Sequence, residues 1–135
     1  MKLSLLINKF YAYSAYLWVV YLTIYFSLIF KVYSFKKIAA KLSKQKTSKR
    51  LKKINLHRVI TLNRAVIKFL LFSKNCFIRS FTLFLILKKF GYSIFLNIGI
   101  IDENKFESHA WVEYNDIPLL ESKDVHEYTI IKKFL

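Results

Sequence analysis

Residues 3–30 are almost wholly apolar, and no charge lies between Lys9 and Lys31. The stretch from Ala12 to Phe30 is long enough to cross a bilayer. It also carries Tyr13, Tyr16, Tyr21 and Tyr25 with Ser14, Thr23 and Ser27, a poor composition for a helix that meets only lipid. The pattern predicts a helix buried in the core or against a partner, with membrane insertion as the alternative. The stretch is too long for a signal peptide, and no small-residue cleavage site comes after it. Residues 36–53 then turn basic, and their polar centre, Ser43 to Ser48, reads as a loop between helices. From Leu56 to Phe72 the apolar residues Val59, Leu62, Ala65, Val66, Phe69 and Leu70 recur at helical spacing. Ser73-Lys74-Asn75 breaks that pattern. Asn75 or Ser73 can cap a next helix, expected from Cys76 to Phe90 and stopped by Gly91.

After Gly91 the period changes. Tyr92 to Ile101 is rich in β-branched and aromatic residues and reads as a strand. Asp102 to Lys105 is a turn, Phe106 to Tyr114 alternates as a second strand, and Asn115-Asp116 turns the chain into Ile117 to Ser122. Tyr128 to Phe134 adds a last strand. Helices first and an antiparallel sheet afterwards make an α+β domain. The expected organisation is a hydrophobic and basic helical region over 1–55 and a core over 56–135, within one compact domain.

Charge sharpens this picture. Residues 1–101 hold 19 Lys and Arg and no acid, whereas all eight acids lie from Asp102 onward with four Lys. A body so cationic suits nucleic acid, an anionic membrane surface or an acidic peptide. No nucleic-acid fold motif is present, and the aromatics sit in apolar runs and form no stacking platform, so nucleic acid is set aside. If the apolar helix inserts, the ten basic residues from Lys31 to Lys53 would hold the rest of the chain in the cytoplasm. The expected location is cytoplasmic, with the membrane surface as an alternative partner. One cysteine excludes an internal disulfide and is compatible with a reducing compartment. No Cys/His cluster has zinc spacing, so neither metal nor cofactor is expected.

The single cysteine, Cys76, opens its helix, and His109 lies on a later strand within Ser108-His109-Ala110-Trp111-Val112-Glu113. A thiol at a helix start with a histidine on a later strand is how a cysteine nucleophile and its base are commonly delivered. A lone buried cysteine is otherwise inert core, and a lone strand histidine merely satisfied. His57 and His126 lack such flanking context and read as surface residues.

The ordered set Cys76-Phe77-Ile78-Arg79-Ser80, Gly91, Asn97-Ile98-Gly99-Ile100 and Ser108 to Glu113 resembles the cysteine-peptidase domain of lasso-peptide maturation. That family is a compact branch of the transglutaminase-like, papain-like superfamily. The specific resemblance covers residues 75–121. It implies a thiol protease that removes the leader from a ribosomally made precursor peptide, so that an asparagine-synthetase-like cyclase can close a macrolactam on the freed amine. Some relatives carry a winged-helix module that binds the leader. The 75 residues ahead of Cys76 read as apolar or basic helix, so the expectation is the split form, with a separate winged-helix leader-binding protein. The alternative is a non-catalytic transglutaminase-like scaffold of a peptide-maturation complex.

On this resemblance Cys76 is the nucleophile, favoured as thiolate by the unpaired N–H groups of a helix start. His109 takes the thiol proton and later protonates the leaving amine. The family's Asp, twelve residues after the histidine, corresponds to Glu121 here. A two-residue turn at Asn115-Asp116 would pair His109 with Ser122, whereas a three-residue loop, Tyr114 to Asp116, would pair it with Glu121. The three-residue loop is therefore expected, with Asp124 and Asp116 as rival acids. The Cys76 N–H is the first oxyanion donor. Arg79 is expected to pair with Glu113, or to touch substrate. Trp111 shares the strand face of His109, as a shield for the imidazole or as core.

Overall fold

The computed structural model describes residues 2–34, 37–38, 40, 54–70, 75–101, 106–119 and 124–135. Three helices in these residues precede the sheet: α1 (Lys2–Val32), α2 (Leu56–Phe69) and α3 (Cys76–Lys89). Asparagines start the last two by the same device. The Asn55 side chain accepts from the Arg58 N–H and the Asn75 side chain from the Ile78 N–H, each at 3.1 Å. Each cap satisfies one of the N–H groups that a helix start leaves without an internal partner. At the far end of α3, Gly91 takes a φ of 82°. Its N–H donates to the Lys88 carbonyl and the Tyr92 N–H to the Leu87 carbonyl. This paired closure needs a left-handed residue, which glycine adopts without a Cβ penalty.

α3 is the centre of the molecule. Ile78 and every residue from Ser80 to Leu87 are buried, the signature of a helix covered all round. α1 and α2 cover one side of it and the sheet the other. The inner stripe of α1 is Val19, Leu22, Thr23, Phe26 and Ser27, all buried, at the i, i+3, i+4, i+7 spacing that one helix face presents. α1 is therefore packed on one side, against α2 and α3. Its other side stays exposed at Leu17, Trp18, Tyr21 and Leu28.

The sheet comprises β1 (Ile94–Ile101), β2 (Glu107–Tyr114), β3 (Ile117–Leu119) and β4 (Thr129–Phe134), in the order β3-β2-β1-β4. All neighbours are antiparallel. The α+β class is as the sequence implies, and the last strand adds beside β1. The register of β4 slips between Ile98 and Gly99, leaving Ile131 as the extra residue of a bulge. Ile94, Leu96 and Val112 face the helices in one hydrophobic cluster, whereas Trp111, Val125 and Tyr128 form a second, smaller one. Strand alternation thus gives the sheet two buried faces.

The β2–β3 turn departs from expectation. Tyr114 pairs with Ile117 and Val112 with Leu119, so the loop is the two residues Asn115-Asp116. Both have positive φ, 51° and 61°, which a type I′ turn requires. Asn and Asp tolerate that region better than other side chains, so the tight turn forms without glycine. The three-residue loop on which pairing of His109 with Glu121 rested does not form. Lys36, the segment 41–53 and the turn 102–105 lie outside the described residues, as do Ser73 and Glu121.

Candidate functional site

Cys76 is the first residue of α3, half-buried, directly after the Asn75 cap. One helical turn further on, about 6 Å along the axis, Ser80 donates its hydroxyl to the Ala110 carbonyl at 2.7 Å. Ala110 is the neighbour of His109 on β2. This bond fastens the cysteine's helix to the histidine's strand at the same end of the helix–sheet interface. The Thr82 hydroxyl donates back to the Ile78 carbonyl at 2.8 Å, so the polar groups in this buried stretch of α3 are spent on backbone.

His109 is buried on the sheet face that also carries Trp111. The two rings lie nearly parallel, at 16° and 6.1 Å between centroids. Tyr128 closes over them, 5.3 Å from His109 and 6.0 Å from Trp111. Gly99 lies directly across the ladder from His109. A Cβ there would stand 2.9 Å from Tyr128 Cβ and 3.0 Å from the Trp111 ring. The missing side chain is what lets the aromatic pair settle onto β1. The Tyr128 hydroxyl donates to Glu107 Oε1 at 3.0 Å, so a carboxylate on the histidine's own face holds the far end of that ring.

Glu113 does not pair with Arg79. Its Oε1 accepts the Trp111 indole N–H at 2.9 Å and its Oε2 lies 4.0 Å from Lys133 Nζ. Alternation along β2 turns Glu113 to the face away from α3, where Arg79 resides, and its partners come from that face. It orients Trp111. Arg79 is half-buried in the first turns of α3.

The two rival acids have other placements. Asp116 is exposed at the tip of the β2–β3 turn, and about 17 Å of strand separate Tyr114 from His109, so it does not reach the imidazole. Asp124 is exposed and its Oδ1 accepts the His126 N–H at 3.0 Å, capping the short 3-10 turn Val125–Glu127. His57 and His126 are exposed, as expected. Among the described residues no cluster of His, Cys, Asp and Glu is arranged to hold a metal.

Sequence reasoning did not single out Tyr128, Glu107 or the docking role of Ser80. Ser80 and Gly99 were visible only as motif positions. For Tyr128 the usable signal is Asp124 ahead of Val125 and Tyr128, a capped turn that places two apolar side chains on one side.

A family model described as the transglutaminase-like superfamily matches residues 20–133. The match includes α2, α3, the described sheet up to Lys133 and more than a third of α1. Neither the curated proteins nor the solved structures contain a significant match.

Proposed function

The chain belongs to the transglutaminase-like superfamily, and on that premise we propose that it is a cysteine endopeptidase that removes the leader from a lasso-type precursor peptide. The observation that carries this reading is the Ser80–Ala110 bond, which fastens the helix that starts at Cys76 to the strand that carries His109, while the imidazole itself shares the sheet face of Trp111 and Glu113, turned from α3.

In this reading the Cys76 thiolate adds to the peptide carbonyl while its proton passes to His109. The tetrahedral oxyanion accepts the Cys76 N–H. Collapse gives a thioester on Cys76, and the leaving amine departs with the proton from His109. Water, deprotonated by His109, then hydrolyses the thioester and frees the leader acid. On the resemblance Glu121 holds the position of the family's acid, and the two-residue Asn115-Asp116 turn removes the register argument that paired it with His109. Trp111 and Tyr128 shield the ring from solvent. The partners are the precursor, a separate winged-helix leader-binding protein and an asparagine-synthetase-like cyclase, in the cytoplasm.

One observation favours a second reading. His109 packs between Trp111 and Tyr128, and an imidazole wedged there also suits a non-catalytic scaffold. Alkylation separates the two without a substrate, because Cys76 is the only cysteine. In a working pair, iodoacetamide labels Cys76 faster in the folded chain than in urea, and His109→Ala removes the advantage. With the precursor and the leader-binding protein supplied, Cys76→Ala and His109→Ala each abolish cleavage, and Glu121→Gln slows it. Cleavage by a folded Cys76→Ala chain would rule out the peptidase.

A further inference from the structure

The exposed side of α1 is an unbroken apolar stripe. Leu17, Trp18, Tyr21, Ile24, Tyr25 and Leu28 all stand open to solvent. The segment Tyr13–Val32 has a mean hydropathy of 1.7, yet only 28% of it is buried. Two of the hydroxyl groups that argue against lipid, those of Thr23 and Ser27, lie elsewhere. Thr23 is buried, donating to the Val19 carbonyl at 2.8 Å and accepting from Asn63 Nδ2 at 3.2 Å. Ser27 is fully buried as well. The outward face is aliphatic and aromatic, with tyrosine hydroxyls as its polar groups.

Charge identifies what covers this face. Residues 1–101 carry 19 basic side chains and no acid. Lys9 and Lys31 are exposed towards the two ends of the stripe. Lys89 Nζ lies 5.9 Å from the Trp18 ring and the Arg58 guanidinium 5.8 Å from the Tyr16 ring. An apolar stripe rimmed by cations matches a bilayer of anionic lipid, whose headgroups meet the rim and whose acyl region meets the stripe. A second copy of the chain would set two such cationic rims against each other.

The packing also sets the orientation. Val19, Leu22 and Phe26 are committed to the protein interior. α2, which packs against α1, exposes His57, Arg58, Arg64 and Lys68. For α1 to cross the membrane it would have to abandon its inner contacts or drag those cations into hydrocarbon. We propose that α1 lies in the plane of an anionic membrane, its outer face sunk to the headgroup–acyl boundary and the folded domain standing on the cytoplasmic side. This inference is independent of the peptidase reading.

The two tryptophans supply the assay, because Trp18 is 54% exposed and Trp111 only 1%. The full chain is mixed with vesicles of phosphatidylcholine alone or with phosphatidylglycerol added, and cosedimentation and tryptophan emission are read. Binding should be tighter on the anionic vesicles by about tenfold or more and weaken as salt rises. Emission should shift to the blue on binding, and Trp18→Phe should remove the shift while leaving cosedimentation in place. Leu17→Asp with Leu28→Asp, both at exposed positions, should lower binding by about tenfold or more with helix content unchanged. Three results each overturn the proposal: no vesicle binding, equal binding to both vesicle types, or a blue shift with dimerisation in the absence of lipid. Protease protection of α1 from both sides of a sealed vesicle would overturn the in-plane orientation in favour of a span.

Discussion

Ser80 and Ala110 are joined by a 2.7 Å hydrogen bond in which the buried hydroxyl meets a strand carbonyl. Ser80→Ala leaves that carbonyl without its donor, in a site too buried for water to replace it. The expected cost is about 1–3 kcal/mol in urea unfolding. If the bond also sets the placement of Cys76 relative to His109, activity falls further than stability does, even where the chain is fully folded. An unchanged unfolding midpoint would show that the bond carries no weight.

Gly99→Ala introduces a Cβ 2.9 Å from Tyr128 Cβ and 3.0 Å from the Trp111 ring. Neither neighbour is the free end of a flexible chain. Overpacking of this kind costs about 1–3 kcal/mol, visible as a lowered melting temperature. Because Gly99 faces His109 across the ladder, the displaced aromatics should also broaden or shift the His109 imidazole resonances. A melting temperature equal to that of the parent would mean that the cleft above Gly99 has room for a methyl group.

Thr23 and Ser27 lie one turn apart on the same buried side of α1 and should respond in opposite senses. Thr23→Val removes the acceptor of the Asn63 amide and should destabilise by about 1–3 kcal/mol. The Ser27 hydroxyl is buried without a partner, so Ser27→Ala removes an unsatisfied group and should be neutral or stabilising. Chemical denaturation of the two variants decides it, and equal losses would contradict the assignment.

Tyr92 sets an alkaline limit. Burial, then the charges of Tyr114 and Tyr16, push its hydroxyl above the ordinary value of 10.0. Its O–H donates to the Ile54 carbonyl, tying the entry of α2 to the start of the sheet. A folded value above the unfolded one means that the unfolded chain gives up the proton first. Stability from this group is therefore full below pH 10 and lost as pH rises through the higher folded value. Melting curves from pH 8 to 11 should fall more steeply for the parent than for Tyr92→Phe. Parallel curves would remove Tyr92 as the cause.

The elements were legible in the sequence because their signals are local. Asn75 caps, Gly91 stops, and the apolar period changes at Tyr92, each acting within a turn or two of backbone. The order of helices then strands implied α+β, and the motif around Cys76 and His109 pointed to the family. Tertiary structure decided what depends on pairing between distant segments. The Asn115-Asp116 turn had two readings that differ by one residue, and such a slip moves every side chain to the other face of the sheet. That alternation turned Glu113 to Trp111 and Lys133 and away from Arg79. It also joined His109 to Tyr128, which leads into a strand that adds beside β1 and not beside β3. Composition alone showed that α1 is apolar. Only packing showed that Thr23 and Ser27 turn inward while its aromatic side stays bare, because a helix spreads its residues around a full circle and the neighbours determine which arc is covered.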